Sequence, residues 1–248
     1  MRILYDNFAT AAATTISVFS ENPLFPIATA LRAPQLSKIG KTLSDSAEWI
    51  KFDMGSAKAC TYAAIMNHNL TAGATVHLQA NATDSWGTPS VDSTMTVADF
   101  MILNFTETYR WWRITIADAS NPDAEIRIGG IYIGNHLDMP GFDPVIPIKR
   151  DSTGVVNVSQ MGQAYGESRL IVKSIQVTFP DVSDANRVLI DALFDSVNIY
   201  LPFILLLWES SLDVQPPVYC RIVESFEWTR AAQTGLSWTT KIGFQECF

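Results

Sequence analysis

Cysteine, histidine and positive charge are all scarce in this sequence. Three cysteines, Cys60, Cys220 and Cys247, stand far apart in 248 residues, a spacing that fits neither a disulfide framework nor a short-spaced zinc pair. The three histidines, His68, His77 and His136, are as dispersed. A zinc site recruiting Cys60, His68 and His77 has no matching ligand spacing, so structural roles are preferred. Lys and Arg total 17 against 25 Asp and Glu, net charge −8, and a nucleic-acid surface would have to be built against that field. No apolar run reaches membrane-helix length: the longest, Ile199 to Trp208, contains Pro202 and is read as a buried strand. The residues after Met1 lack a signal-peptide apolar core, because Thr10, Thr14, Thr15 and Ser17 interrupt it. Gly-x-Ser-x-Gly elbows, Walker loops and Gly-x-Gly-x-x-Gly loops are missing too. Nothing selects a carboxylate pair for glycoside cleavage, so an enzyme is the minority reading, with no catalytic residue and no cofactor assigned.

What is present is β-pattern. Tyr109 to Ile116 and Ile126 to Gly134 are strand-like segments around a polar turn at Asp118, Asn121, Pro122 and Asp123, and together they read as a hairpin. Alternation puts Ile126 and Ile128 on one face, Glu125 and Arg127 on the other. Trp111 and Trp112, being adjacent, must point to opposite faces. Further strands are expected near Ala13 to Phe19, over Glu48 to Gly55 with Gly55 ending it, over Cys60 to Met66, Ala74 to Ala80 and Val97 to Phe105. Pro23, Pro26 and Pro34 argue against a helix in residues 1–47. Asp118, Asn121, Asp123 and Glu125 could suggest a calcium loop, but turn chemistry explains the composition without a metal.

Beyond a Pro- and Gly-rich linker over 136–147, the polar stretch Arg150 to Gly166 is read as turns, then Leu170 to Phe179 as a strand stopped by Pro180. Asp184 to Val197 is the one convincing helix, capped by Ser183 or Asp181, with Val188, Leu189, Ala192, Leu193 and Val197 on its apolar face. Strands follow at Ile199 to Trp208, Val218 to Phe226 and Leu236 to Phe244. The second unit, 148–248, is thus a small α+β body.

Trp49 to Gly55, then Trp86, then Tyr109 to Ile114, then Glu125 to Gly134 follow in an order that resembles discoidin (F5/8 type C) domains. The resemblance implies a galactose-binding-like jelly-roll β-sandwich over 1–135. Asn67 to Leu70 before Gly73 to Val76, and Trp111 to Arg113 with Asp118 and Asn121 to Asp123, look like the version carried by tailed-phage virion proteins. The chain lacks the cysteine pair that ties the termini of secreted members. The layout of the second unit is similar to the hub or distal-tail class of phage tail proteins.

The main expectation is therefore a structural part of a phage tail tip or baseplate, assembled in the bacterial cytoplasm with copies of itself and neighbouring tail proteins, with apolar surface around Ile199 to Trp208 buried between subunits. The alternative is a carbohydrate-binding adhesin for host surface glycans. Trp86 with Asp84 and Asn81 could form a sugar platform, an aromatic face for a pyranose and polar groups for its hydroxyls. By resemblance, Arg32 could lie in a ligand loop at the same end. Packing of Trp86 within its own loop, or against a neighbouring subunit, is the competing reading.

Overall fold

The structure, a computed structural model, describes residues 1–152, 154–167, 170–208, 216–230 and 237–248. The chain divides into two compact units, one built mainly on Leu4–Leu137 and the other mainly on Met1–Ile3, Asp138–Glu209 and Val218–Cys247. The chain is mainly β, as the sequence pattern predicts, and the expected helix of the second unit is present among its strands.

The first unit holds strands β1 (Arg2–Asn7), β2 (Thr15–Val18), β3 (Gly40–Lys41), β4 (Glu48–His68), β5 (Thr75–Asn81), β6 (Val91–Thr94), β7 (Phe100–Ala117) and β8 (Arg127–Asp138), with helix α1 (Ile27–Arg32). The antiparallel pair β4 and β7 spans it from end to end. Glu48–Asp53 lies against Trp111–Ile116, the register shifts between Asp53 and Lys58 and again between Cys60 and Tyr62, and Lys58–Met66 lies against Phe100–Tyr109 across that second shift. On the near side of the first shift the order is β6, β5, β7, β4, β2; on the far side β8 pairs with the Tyr62–His68 half of β4, and β3 pairs with β8. A register shift bends a strand, and here both long strands pass from one layer of the sandwich to the other. One core joins the layers: Ile50, Phe52, Val76, Leu78, Trp112 and Ile114 come from the first, and Ala63, Ile65, Ile128, Ile131 and Ile133 from the second.

Several expectations are corrected here. Gly55 does not end a strand; it sits inside β4 at φ +74°, at the bend, where a residue without Cβ meets no steric penalty. The expected hairpin is not formed, because β4 lies between β7 and β8. The polar connection instead crosses between layers, held by buried Asp118, whose carboxylate accepts from Thr71 N (2.8 Å), Thr71 Oγ1 (2.6 Å) and Asn121 Nδ2 (3.0 Å). A helix does form in the proline-rich start, since Pro26 stands at its N-cap and Pro34 lies past its end, so neither ring interrupts it. His136 to Asp138, placed in the linker by composition, belong to β8, with His136 Nδ1 against Thr61 Oγ1 at 2.7 Å.

The second unit contains β9 (Ile148–Ser152), β10 (Val155–Val158), β11 (Ala164–Glu167), β12 (Ile171–Val182), helix α2 (Asp184–Val197), β13 (Phe203–Leu206), β14 (Val218–Ile222), β15 (Thr229–Arg230) and β16 (Trp238–Glu246). Its antiparallel sheet runs β13, β14, β16, β12, β9, with β15 on β16, while β10 and β11 pair separately. The stretch read as turns therefore carries three strands. Pro180 does not stop β12; it falls where the register against β16 shifts, so its missing N–H breaks no regular ladder. Ser183 caps α2 by accepting from Asn186 N at 3.3 Å. The buried face of α2 is Ile190, Leu193 and Val197, whereas Val188 and Leu189, expected inward, are 63% and 47% exposed. Phe203 to Leu207 are buried in the single chain, so that part of the run is core and not a surface held for another subunit. Leu236, at the expected start of the last strand, lies outside the described residues.

One buried group sets a pH response. Glu48 opens β4 on its inward side, 3% exposed; Ser20 Oγ donates to Oε1 at 2.6 Å, and Oε2 has no hydrogen-bond partner. Burial raises its pKa, with Ser20 opposing. Its folded pKa is above the unfolded one, so the protonated acid is the better-tolerated form, and stability is lost as pH rises from the ordinary glutamate range through the raised value. Glu48→Gln should remove that slope: in melts at stepped pH the variant gains on the wild type as pH climbs, and parallel curves would contradict the assignment.

Candidate functional site

Alternation along the near layer sends every second side chain out. Ile50 and Phe52 of β4, Trp112 and Ile114 of β7, and Leu78 and Ala80 of β5 are buried, so Trp49, Lys51, Asp53, Trp111, Arg113, Gln79 and Asn81 point outward. Strand register arranges them in rows. One runs Ser17, Lys51, Arg113, Gln79, Asp92 across five strands. Its neighbour runs Thr15, Asp53, Trp111, Asn81.

The loop from Asn81 to Ser90 folds over the first row. Trp86 Nε1 donates to Asp84 Oδ1 at 2.6 Å, and Lys51 Nζ meets Asp84 Oδ2 at 2.7 Å. The Arg113 guanidinium lies 4.4 Å from the centre of the Trp86 ring and donates through Nε and Nη2 to Gln79 Oε1, at 2.9 and 2.6 Å. Such a cation–ring contact is worth about 1 kcal/mol, enough to orient one ring but small against the core. Asn81 closes the loop, with Nδ2 donating to Ser85 O at 2.7 Å and Oδ1 accepting from Ala82 N and Ser90 Oγ at 2.8 and 3.1 Å. Trp86 remains partly exposed.

A second set of contacts extends the surface. Arg110 grips Asp53 through Nε and Nη2 at 2.7 and 2.8 Å. Lys51 Nζ stands 5.4 Å from the ring centres of both Trp49 and Trp111, and the Arg110 guanidinium 5.2 Å from that of Trp111. Two carboxylates are thereby held ionised. The hydrogen bond from Arg110 lowers the Asp53 pKa, and that from Lys51 lowers the Asp84 pKa. Burial pulls the Arg113 pKa down while Asp84 and Asp92 oppose it.

Of the sequence candidates, the structure gathers Asn81, Asp84 and Trp86 in one loop. Arg32 lies elsewhere, at the end of α1, where Nη2 donates to Thr14 O at 2.7 Å beside an open groove of about 460 Å³ lined by alanine and threonine side chains. Of the residues that the sequence reading did not assign to a site, Lys51, Asp53, Trp111 and Arg113 occupy the outward positions that alternate with buried Ile50, Phe52, Trp112 and Ile114, whereas Arg110 sits beside Trp111 at the register shift, where strict alternation does not reach.

The metal alternatives find no such gathering. Cys60, His68 and His77 are engaged separately, His68 Nε2 with Ala98 O (2.9 Å) and His77 Nδ1 with Asp92 Oδ1 (2.8 Å), and among the described residues no cluster of three metal-ligating side chains occurs. Burial pushes the Cys60 thiol up to about 12, far from a reactive thiolate. In the 118–125 connection, Glu125 is bonded by Lys41 and Arg127 at 2.8 Å each, and Asp123 Oδ2 accepts from Asn69 Nδ2 at 3.0 Å. Those oxygens serve the turn.

No family model matches the chain, and no curated protein does. Solved structures similar to part of it include carbohydrate-binding modules and a Ruminococcus gnavus GH29 fucosidase in complex with fucose, which is 13% identical with a TM-score of 0.45, over 54% of this chain and 27% of that one. Chitosan-binding module 1 of a Paenibacillus sp. IK-5 chitosanase/glucanase is 15% identical with a TM-score of 0.41, over 52% of this chain and 98% of that one. The family 32 carbohydrate-binding module of Clostridium perfringens NanJ, in complex with galactose, is 14% identical with a TM-score of 0.41, over 55% and 100%. A Clostridium perfringens CBM32 module solved with GalNAc-β-1,3-galactose is 10% identical with a TM-score of 0.42, over 52% and 99%.

Proposed function

We propose that the first unit is a non-catalytic glycan-binding module with Trp86 as its aromatic platform. One observation supports this above the rest: Trp86 is fixed from two sides, by Asp84 at its indole N–H and by Arg113 against its ring, yet is left partly exposed next to Asn81. A ring held in place offers a flat apolar face to a sugar at little entropic cost, and the carboxylate and amide beside it can take hydroxyls. Binding is favoured over turnover because glycoside cleavage needs one carboxylic acid kept protonated, while Asp53 and Asp84 are both pushed the other way by their cationic partners.

A second reading concerns the other unit. Val188 and Leu189 on α2, with Tyr200 beyond it at 65% exposure, leave apolar side chains on its surface. These favour a role in self-assembly, as in a tailed-phage tail protein that displays the sandwich unit as an appendage. Light scattering on the full chain should then report an oligomer that Val188→Asp with Leu189→Asp dissociates; a monomer at high concentration would remove this reading.

For the first reading, the whole chain is applied to a glycan array that includes galactose, N-acetylgalactosamine and fucose structures. Wild type should be retained, and Trp86→Ala should lose about tenfold or more in affinity while melting at an unchanged temperature. Retention of Trp86→Ala equal to wild type would contradict the assignment.

A further inference from the structure

The Trp86 loop and the Arg32 groove lie at the two ends of a single row. In the register Thr15, Asp53, Trp111, Asn81, each residue is the direct cross-strand neighbour of the next, on β2, β4, β7 and β5. All face away from the core, since Ile16, Phe52, Trp112 and Ala80 beside them pack against it. Three strand spacings of ~4.8 Å make the row roughly 14 Å long, more than one pyranose can cover. At its β5 end is the loop bearing Asp84 and Trp86. Trp111, partly exposed, lies at its middle with Arg110 and Lys51 against its ring. At its β2 end Thr15 adjoins Thr14, whose carbonyl accepts from Arg32 in the open groove.

Resting on the glycan-binding reading above, we infer that this row is a strip of subsites for an uncharged sugar chain laid across the strands, so that the ligand is an oligosaccharide segment and not a single terminal sugar. Trp111 within the row, Trp86 over the adjacent row against Arg113, and Asp53 with Arg110 beside them offer stacking and hydrogen bonds to successive units. Charge decides against a polyanion. Lys51 and Arg110 are each matched by a carboxylate in contact, Asp84 and Asp53, Arg113 is turned onto the Gln79 amide and Arg32 onto a backbone carbonyl, so most of the charge along the strip is paired in place of a cationic track.

The test uses calorimetric titration of the full chain with a neutral sugar found on the array, supplied as mono-, di-, tri- and tetrasaccharide. Affinity should rise by about tenfold or more between the first and last, with little dependence on salt. Trp111→Ala and Arg32→Ala should each cancel most of the rise, melting curves serving as the folding control. Equal affinity at every length, or a rise that survives in both variants, overturns the strip while leaving the Trp86 platform standing. No binding at any length, or binding untouched by Trp86→Ala, overturns the platform and the strip together.

Discussion

The first unit depends on the pairing of β4 with β7. These two strands run through both the near and the far layer, and the register shifts after Asp53 and after Cys60 let one pair of strands serve both. Once the ladder is bent, the side-chain period of two does the rest. Inward positions from both halves meet in one core, where Phe52 and Trp112 are fully buried. Outward positions of the near half become a surface whose spacing is dictated by the hydrogen-bond register. A slip of one residue would exchange the two sets, so the core fixes the site's geometry without touching any ligand.

The charges on that surface do a different job. The Lys51–Asp84 and Arg110–Asp53 pairs are largely solvent-facing, and pairs of that kind add little to stability. What they do is limit where the indole rings can go. Asp84 joins the indole N–H of Trp86 to the Lys51 ammonium, which in turn lies between Trp49 and Trp111. The loop is thereby tied to the sheet through a chain of contacts. In the proposed binding mode, this lowers the ordering cost that a mobile aromatic would incur on meeting a sugar.

Much of this was legible in the sequence. Alternation in Trp49 to Met54 is matched by burial residue by residue, and in Ile126 to Ile128 likewise, while from Ile128 to Ile133 every residue is buried, as in a strand covered on both faces. The separate orientation of Trp111 and Trp112 needed only their adjacency, as did the cap at Ser183 its helix pattern. What could not be read was partnership between distant segments. A turn flanked by two strands signals a hairpin whether or not a third strand lies between them, and β4 intervenes here because its far half matches β8 in register. Proline counts misled for a related reason: Pro26 and Pro34 bracket α1, and composition does not distinguish bracketing from interruption. Arg113 escaped notice because its significance lies in a ring 27 positions upstream, brought over it by a loop (Trp86 to Arg113).

The central claim is that the outward row of the β4–β7 ladder, and not an inward cleft, meets the ligand. Indole N–H resonances followed by NMR during titration with an array-identified sugar chain address it directly. The account predicts that Trp86 and Trp111 shift together to saturation while the buried Trp112, on the opposite face of the same strand, stays still. Saturable binding with Trp86 and Trp111 both unmoved would contradict it.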